Sequence, residues 1–336
     1  MAQRLLTELA ALGVEAALDA NGNVVGRRAG ASTLAGAPPI LFSAHMDTVQ
    51  PGRGVEPVVE DGVVRSSGTT ILGADDKAGL AAILEALRVT RGTDCRPVEI
   101  AFTVQEETGL TGAKGLDLTR FAARQAVVLD SNEVVGSIVN QAPAADKLHV
   151  VVHGKAAHAG VSPELGVSAI QAAARALAEM RLGRIDDETT ANIGVINGGT
   201  ADNIIPDRVE LTGGARSRNE AKLAAQIEHM RSHFEREATA MGARAEVTVT
   251  HSYGRIDVPP DAPLIRALEA AIRRVGLEPR LLPTGGGSDA NILNDKGIAA
   301  VNLGVGYRDM HSTGENIAVA DLARVADITI QVLIAA

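Results

Sequence analysis

The chain has 336 residues, of which 46% are hydrophobic and only 2% aromatic, with no tryptophan and a formal charge of −9. That length exceeds one ordinary compact domain and points to two. The negative charge and the near-absence of stacking side chains exclude nucleic acid and anionic membrane as partners. A single cysteine, Cys95, excludes an intrachain disulfide and a thiolate metal cluster, and fits a reducing, cytoplasmic compartment.

Residues 3–13 have the apolar spacing of a short helix, and Glu8 interrupts the run too early for a secretion signal. No segment approaches the roughly 20 apolar residues that span a bilayer. Asn21-Gly22 is a hairpin turn between two strands. The run Pro39-Ile40-Leu41-Phe42-Ser43-Ala44 reads as a buried strand leading into His45, and a second hairpin turns at Asp61-Gly62. From Asp75 to Val89, Leu80, Ile83, Leu84 and Leu87 recur at helical spacing, and strands follow near 97–105 and 126–130. The region 146–255 reads strand, helix, strand, strand, helix, strand: 148–152, 166–182, 191–196, 208–215, 219–241 and 245–251. A helix at 261–275, a strand near 298–303 and a helix at 319–334 then resume the first pattern. The expected class is α/β. A layered domain with a central mixed sheet (residues 1–145 and 256–336) is interrupted by a ferredoxin-like βαββαβ domain at 146–255.

Five segments carry the chemistry: His45-Met46-Asp47, Gly73-Ala74-Asp75-Asp76-Lys77, Glu106-Glu107-Thr108-Gly109, Leu129-Asp130-Ser131 and His311-Ser312-Thr313-Gly314. Each lies at or just past a strand end or at a helix start, where ligands collect in open α/β sheets. Asp47 is placed to accept the ring N–H of His45, which fixes the tautomer and raises ligand basicity. One carboxylate suffices to cap the helix at 75–89, so the second of Asp75-Asp76 is available to bridge two cations, one oxygen to each. Two adjacent glutamates after an apolar strand would repel unless neutralised. If the strand stays extended they point apart, one toward metal and the other toward substrate and its attacking water. Asp130 ends a wholly apolar strand, and His311 lies in a loop after another. Two histidines and three carboxylates, with one further glutamate, suit two Zn²⁺ ions, or Co²⁺ or Mn²⁺ less exclusively.

With these segments in hand, the chain resembles the co-catalytic zinc aminoacylase/carboxypeptidase G/tripeptidase family, and peptidase T-like proteins in particular. The segments SAHMDTV, GADDKAG, QEETGLTGAKGLD, HGKAAHAG and ARSRN carry the likeness, in the family's order and spacing. The resemblance implies that His45 and Asp130 complete one metal site and Glu107 and His311 the other, with Asp75 bridging. It implies Asp47 as the residue that orients His45, Glu106 as the general base, and a cis peptide between Asp75 and Asp76. It also implies that 146–255 is a lid through which two chains form a homodimer. His158 of that lid would stabilise the tetrahedral oxyanion, and Asn203 and Arg216 would hold a substrate carboxylate or carbonyl. Thr284-Gly285-Gly286-Gly287-Ser288-Asp289 has neither a P-loop lysine nor a dinucleotide fingerprint. By resemblance, Gly286 and Gly287 approach the substrate backbone, with Asp289 nearby. The chain starts later than the resemblance leads one to expect, since a further helix and a Ser/Gly-containing segment usually precede the first hairpin.

The implied activity is hydrolysis of an amide bond in small peptides such as tripeptides, from the amino end. Deacylation of N-acyl amino acids and removal of a C-terminal residue use the same chemistry and are the alternatives. A non-catalytic binding module that kept the fold would have lost ligands, whereas this set is complete.

Overall fold

The computed structural model describes residues 1–334. The chain divides into two compact units. One comprises Met1–Gln141, Ile256–Thr284 and the chain from Ser288 onward; the other comprises Ala142–Arg255 with Gly285–Gly287.

The first unit is built on a nine-stranded mixed sheet. Its centre is four neighbouring parallel strands in the spatial order Val98–Thr103, Ile40–His45, Gln125–Val128 and Ala299–Leu303. Every residue of Val98–Thr103 and of Ile40–His45 is buried, which is why these strands read as continuous apolar runs rather than alternating ones. The helix Ala74–Val89 packs on Val319–Ile334, which in turn packs on Pro263–Arg274. The first hairpin, Glu15–Leu18 with Val24–Arg28, joins the sheet antiparallel to Val98–Thr103. The second, Pro57–Glu60 with Val63–Ser66, pairs instead with Asn316–Ala318 in a separate three-stranded sheet. Asp61 and Gly62 at its turn have φ of 49° and 75°, the left-handed pair that a two-residue hairpin demands.

Sequence spacing did not reveal the strand Ser137–Ala142, which runs antiparallel to Ala299–Leu303. Ser137 and Asn140 break its apolar pattern and are nevertheless buried. Asn140 is accommodated because its side-chain amide donates to the Val258 carbonyl at 2.8 Å. The strand expected at 97–105 stops at Thr103, since Gln105 has φ of 55° and turns the chain.

The second unit is a five-stranded antiparallel sheet in the order Gly183–Arg184, Thr189–Gly198, Arg208–Ser217, Ala144–His153 and Arg244–Tyr253. The helices Ala169–Glu179 and Glu220–Ala240 pack against each other and the sheet. The order is the expected βαββαβ, with Gly183–Arg184 as one additional strand. Leu148, Val150, Val152, Val209 and Leu211 meet Met230 and Phe234 in its core. Ala172, Ala173 and Ala176 let the first helix approach closely. Cys95 is buried and unpaired.

Candidate metal centre

The four parallel strands end side by side, and the candidate ligands lie at or beyond those ends. His45 is the last residue of its strand. Its backbone N–H donates to Asp76 Oδ2 at 3.2 Å, and its ring Nδ1 donates to the Asp47 carbonyl at 3.0 Å. Because a carbonyl can only accept, the proton is fixed on Nδ1, and the Nε2 lone pair of the neutral ring is free to ligate. Nε2 lies 3.0 Å from Asp75 Oδ1 and 3.9 Å from Asp130 Oδ1.

Asp47 therefore orients His45 with its main chain, and its carboxylate also stands against the ring. That carboxylate lies 3.6 Å from Nδ1 and accepts the backbone N–H groups of Glu106 at 3.1 Å and Glu107 at 3.3 Å. The turn at Gln105 brings those amides within its reach.

Asp75 and Asp76 divide their labour. Both depart from helical φ/ψ at the start of Ala74–Val89, and the peptide between them is cis. Asp76, wholly buried, accepts the Gly79 N–H at 3.1 Å as a helix cap would. Asp75 turns its two oxygens to different histidines: Oδ1 to His45 Nε2 at 3.0 Å and Oδ2 to His311 Nε2 at 3.3 Å. His311 Nε2 is also 3.0 Å from Glu107 Oε1. Two ligand sets result, His45–Asp75–Asp130 and Asp75–Glu107–His311, each with donor atoms within 4.8 Å of one another. Glu106 and Glu107 do not point apart as an extended strand would require. Both reach toward His45, with donor atoms again within 4.8 Å.

The electrostatics fit a site for divalent cations. Burial, then the charges of Asp130 and Asp289, push the Glu106 carboxyl up to about 10. Burial lifts Asp130 to about 7, against the pull of His45, and Asp289 to about 6. Burial and Asp130 also raise Asp76 well above the usual carboxylate range. Burial disfavours a charged His45, but Asp47 and Asp75 overcome it and hold the ring well above its ordinary value. A cluster of carboxylates that resists ionisation until positive charge arrives, lined by two imidazoles and three carboxylate donors, is a hard-to-borderline dication site.

Residues 41–335 match the sequence profile of peptidase family M20/M25/M40. The chain belongs to that family. It is accordingly a metallopeptidase-family hydrolase, as the assembled ligand set requires. YqjE of Bacillus subtilis (strain 168) is 43% identical over 329 residues, which cover 96% of this chain and 89% of the relative. The fold is similar to that of aminopeptidase PepT from Bacillus cereus ATCC 10987, with TM-score 0.90 and 43% identity over 98% of this chain and 91% of that one. It is also similar to a tripeptidase from Staphylococcus aureus subsp. aureus mu50, with TM-score 0.93 and 37% identity over 99% and 91% of the two chains. No helix among the described residues is long and apolar enough to cross a membrane.

The remaining M20 candidates lie in the second unit. His158 is exposed, and its Nδ1 accepts the Gly160 N–H at 3.1 Å, so the neutral ring carries its proton on Nε2 as a donor. Its segment is held to that of Asn203, because Ala159 N–H donates to the Asn203 carbonyl at 2.9 Å and His158 bridges to Ile204. Arg216 stands exposed on Arg208–Ser217, opposite Thr190 and Ala145. Gly287 has a packing reason to be glycine: a Cβ there would lie 2.3 Å from the Tyr253 ring. Its neighbour Gly286 sits in the same segment.

Three buried residues at the centre escaped the sequence reading. The Tyr307 hydroxyl donates to Asp130 Oδ1 at 3.1 Å. The Thr103 hydroxyl donates to Asp289 Oδ2, which anchors the first turn of Asp289–Asp295 beneath the sheet ends. Glu315 accepts backbone N–H groups of the Asp75 segment. Only the placement of Glu315 four residues after His311 was visible in sequence, and nothing there gave its direction.

Proposed function

We propose that this chain is a two-metal aminopeptidase of short peptides, with tripeptides as the preferred class. The observation that carries the reading is Asp75, whose two oxygens face two different histidines, as a carboxylate shared by two ions requires. The aminopeptidase and tripeptidase similarities support the substrate class.

His45, Asp130 and Asp75 would hold one ion and Asp75, Glu107 and His311 the other, with Zn²⁺ suited to this mixed nitrogen and oxygen set. When bound, such ions would supply Lewis-acid chemistry, polarising the scissile carbonyl and lowering the pKa of a water. Glu106 takes the water's proton and returns it to the leaving amine. Its raised proton affinity comes from burial and the charges of Asp130 and Asp289, and two dications at the neighbouring ligands would oppose it, so that the carboxylate is available as base. Asp47 holds the Glu106 and Glu107 amides, so the base and a ligand move as one piece. His158, with its proton on Nε2, donates to the oxyanion of the tetrahedral species. Arg216 and Asn203 hold the peptide's carboxylate, for which a guanidinium fork is well shaped. Gly286 and Gly287 allow the substrate backbone past, and the second unit serves as lid and as the homodimer surface.

The decisive assay is a panel of tripeptides, dipeptides and N-acetyl amino acids with the Zn²⁺- or Co²⁺-loaded protein. Release of the N-terminal residue from tripeptides at the highest kcat/KM is the expected result. Fast deacylation without tripeptide turnover would replace this reading with an amidase.

A further inference from the structure

We infer that Glu315 is a positioning residue that locks the two halves of one metal site together, the half that carries Asp75 and the half that carries His311. The inference rests on the two-metal reading and assigns a role to a residue outside the ligand set.

Glu315 is 1% exposed, so its carboxylate has left water and must be satisfied by the protein. Oε2 accepts the Gly73 N–H at 2.6 Å and Oε1 accepts the Asp75 N–H at 2.9 Å. Gly73 has no side chain with which to cap Ala74–Val89. Asp75, at a non-helical φ/ψ of −80° and 101°, lies in the first turn, where a backbone N–H has no intrahelical acceptor. Glu315 thus supplies from a distant loop acceptors for two N–H groups that the Asp76 cap does not reach, and its negative charge sits favourably at the helix N-terminus.

The same residue closes the loop that bears His311. Its own N–H donates to the Ser312 carbonyl at 3.2 Å, and the Ser312 hydroxyl donates to the Asp309 carbonyl at 2.7 Å. Asp309 and His311 have φ of 53° and 62°, a left-handed conformation unfavourable for side-chain-bearing residues. The turn is therefore held by its hydrogen bonds rather than by local preference. Side chain and main chain of one glutamate fix the Asp75 backbone and the turn after His311, whose ligating atoms are 3.3 Å apart. Glutamate is required here because two N–H groups need two acceptor oxygens. Glutamine offers one oxygen and sets an NH₂ against the other N–H.

The test titrates Zn²⁺ alone into the metal-stripped full chain by calorimetry, for wild type, Glu315→Gln and Glu315→Ala, with far-UV circular dichroism to check folding. Wild type is expected to take two ions. Glu315→Ala is expected to keep one affinity and weaken the other by about 10–100-fold, the usual cost of removing an outer partner of a ligand. Glu315→Gln, if Glu315→Ala does not fold, should show a smaller loss at the same site. In both, kcat should fall with KM little changed, and excess Zn²⁺ should restore it. Wild-type affinity at both sites in a folded variant, even one with a lowered Tm, overturns the inference and leaves Glu315 a prop of the fold. A wild type that binds fewer than two ions refutes the two-metal reading itself, and the inference with it.

Discussion

At the residue scale, the proposed reading divides the site between groups that would hold metal and one, Glu106, that would move a proton. Glu106 and Glu107 are adjacent, yet only Glu107 faces both Asp75 and His311 through the latter's ring, whereas Glu106 lies deeper among Asp130 and Asp289. Glu106→Gln keeps the shape and removes the base. It should lower kcat by about 10²–10⁴-fold while zinc content, read by elemental analysis, stays at the wild-type value. Asp75→Ala should do the opposite and lose metal, because both ligand sets share that carboxylate. Equal zinc in wild type and Asp75→Ala would remove Asp75 from the bridge. His45, Asp75, Glu106, Glu107, Asp130 and His311, whose donor atoms the structure brings together, stood out in sequence because each follows an apolar strand or opens a helix and because five such segments recur in one chain. The Asp47 carboxylate has more partners than its sequence position showed, because the Gln105 turn brings it the Glu106 and Glu107 amides as well as leaving it beside the His45 ring.

At the element scale, the start of Ala74–Val89 is where packing and chemistry meet. Gly79 lies against Asp76 and the Leu129 carbonyl. A Cβ on it would come within 2.4 Å of Asp76 Oδ1 and of that carbonyl oxygen, and the contact with the backbone carbonyl is one that no rotamer change relieves. Gly79→Ala should therefore destabilise the protein by roughly 1–3 kcal/mol, the usual range for overpacking, read as a lower urea midpoint at unchanged m-value. Because Asp76 also holds the His45 N–H, the variant should bind zinc more weakly than its stability loss alone requires. Helix and strand positions here were readable from apolar periodicity, which reports burial of one face. The strand Ser137–Ala142 was not, because buried polar residues interrupt its apolar run, and one of them, Asn140, is satisfied by the carbonyl of Val258, far along the chain.

At the scale of the whole molecule, the carboxylate cluster predicts how stability depends on pH and metal. A carboxyl whose folded-state pKa lies above its unfolded value binds its proton more tightly when folded. Its contribution is greatest below the unfolded value near 4 and is lost as pH rises toward the folded one. For Asp289 and Asp130 that window runs from pH ~4 to about 6 and about 7, and for Glu106 it extends toward about 10. His45, also raised, acts in the same direction: its stabilisation is lost as pH climbs through its folded-state value. The metal-stripped protein should thus have a lower Tm at pH 8 than at pH 6. Zinc, which favours the ionised carboxylates, should raise Tm by more at pH 8 than at pH 6. A metal-stripped Tm that rises over this interval would show that the cluster does not govern stability.

The sequence by itself determined the α/β class, the inserted βαββαβ module, the family and the chemical types of the ligands. Apolar periodicity and motif spacing are local properties, and each survives in the string of letters. Tertiary structure alone decided that four strand ends lie side by side, that Asp75 turns one oxygen to each histidine, and that Asp47 grips the Glu106–Glu107 amides. It alone brought Glu315 to the helix start 240 residues earlier in the chain. Those contacts depend on sheet order and on turns at single residues of positive φ, where one dihedral redirects everything that follows and no residue pattern records the direction.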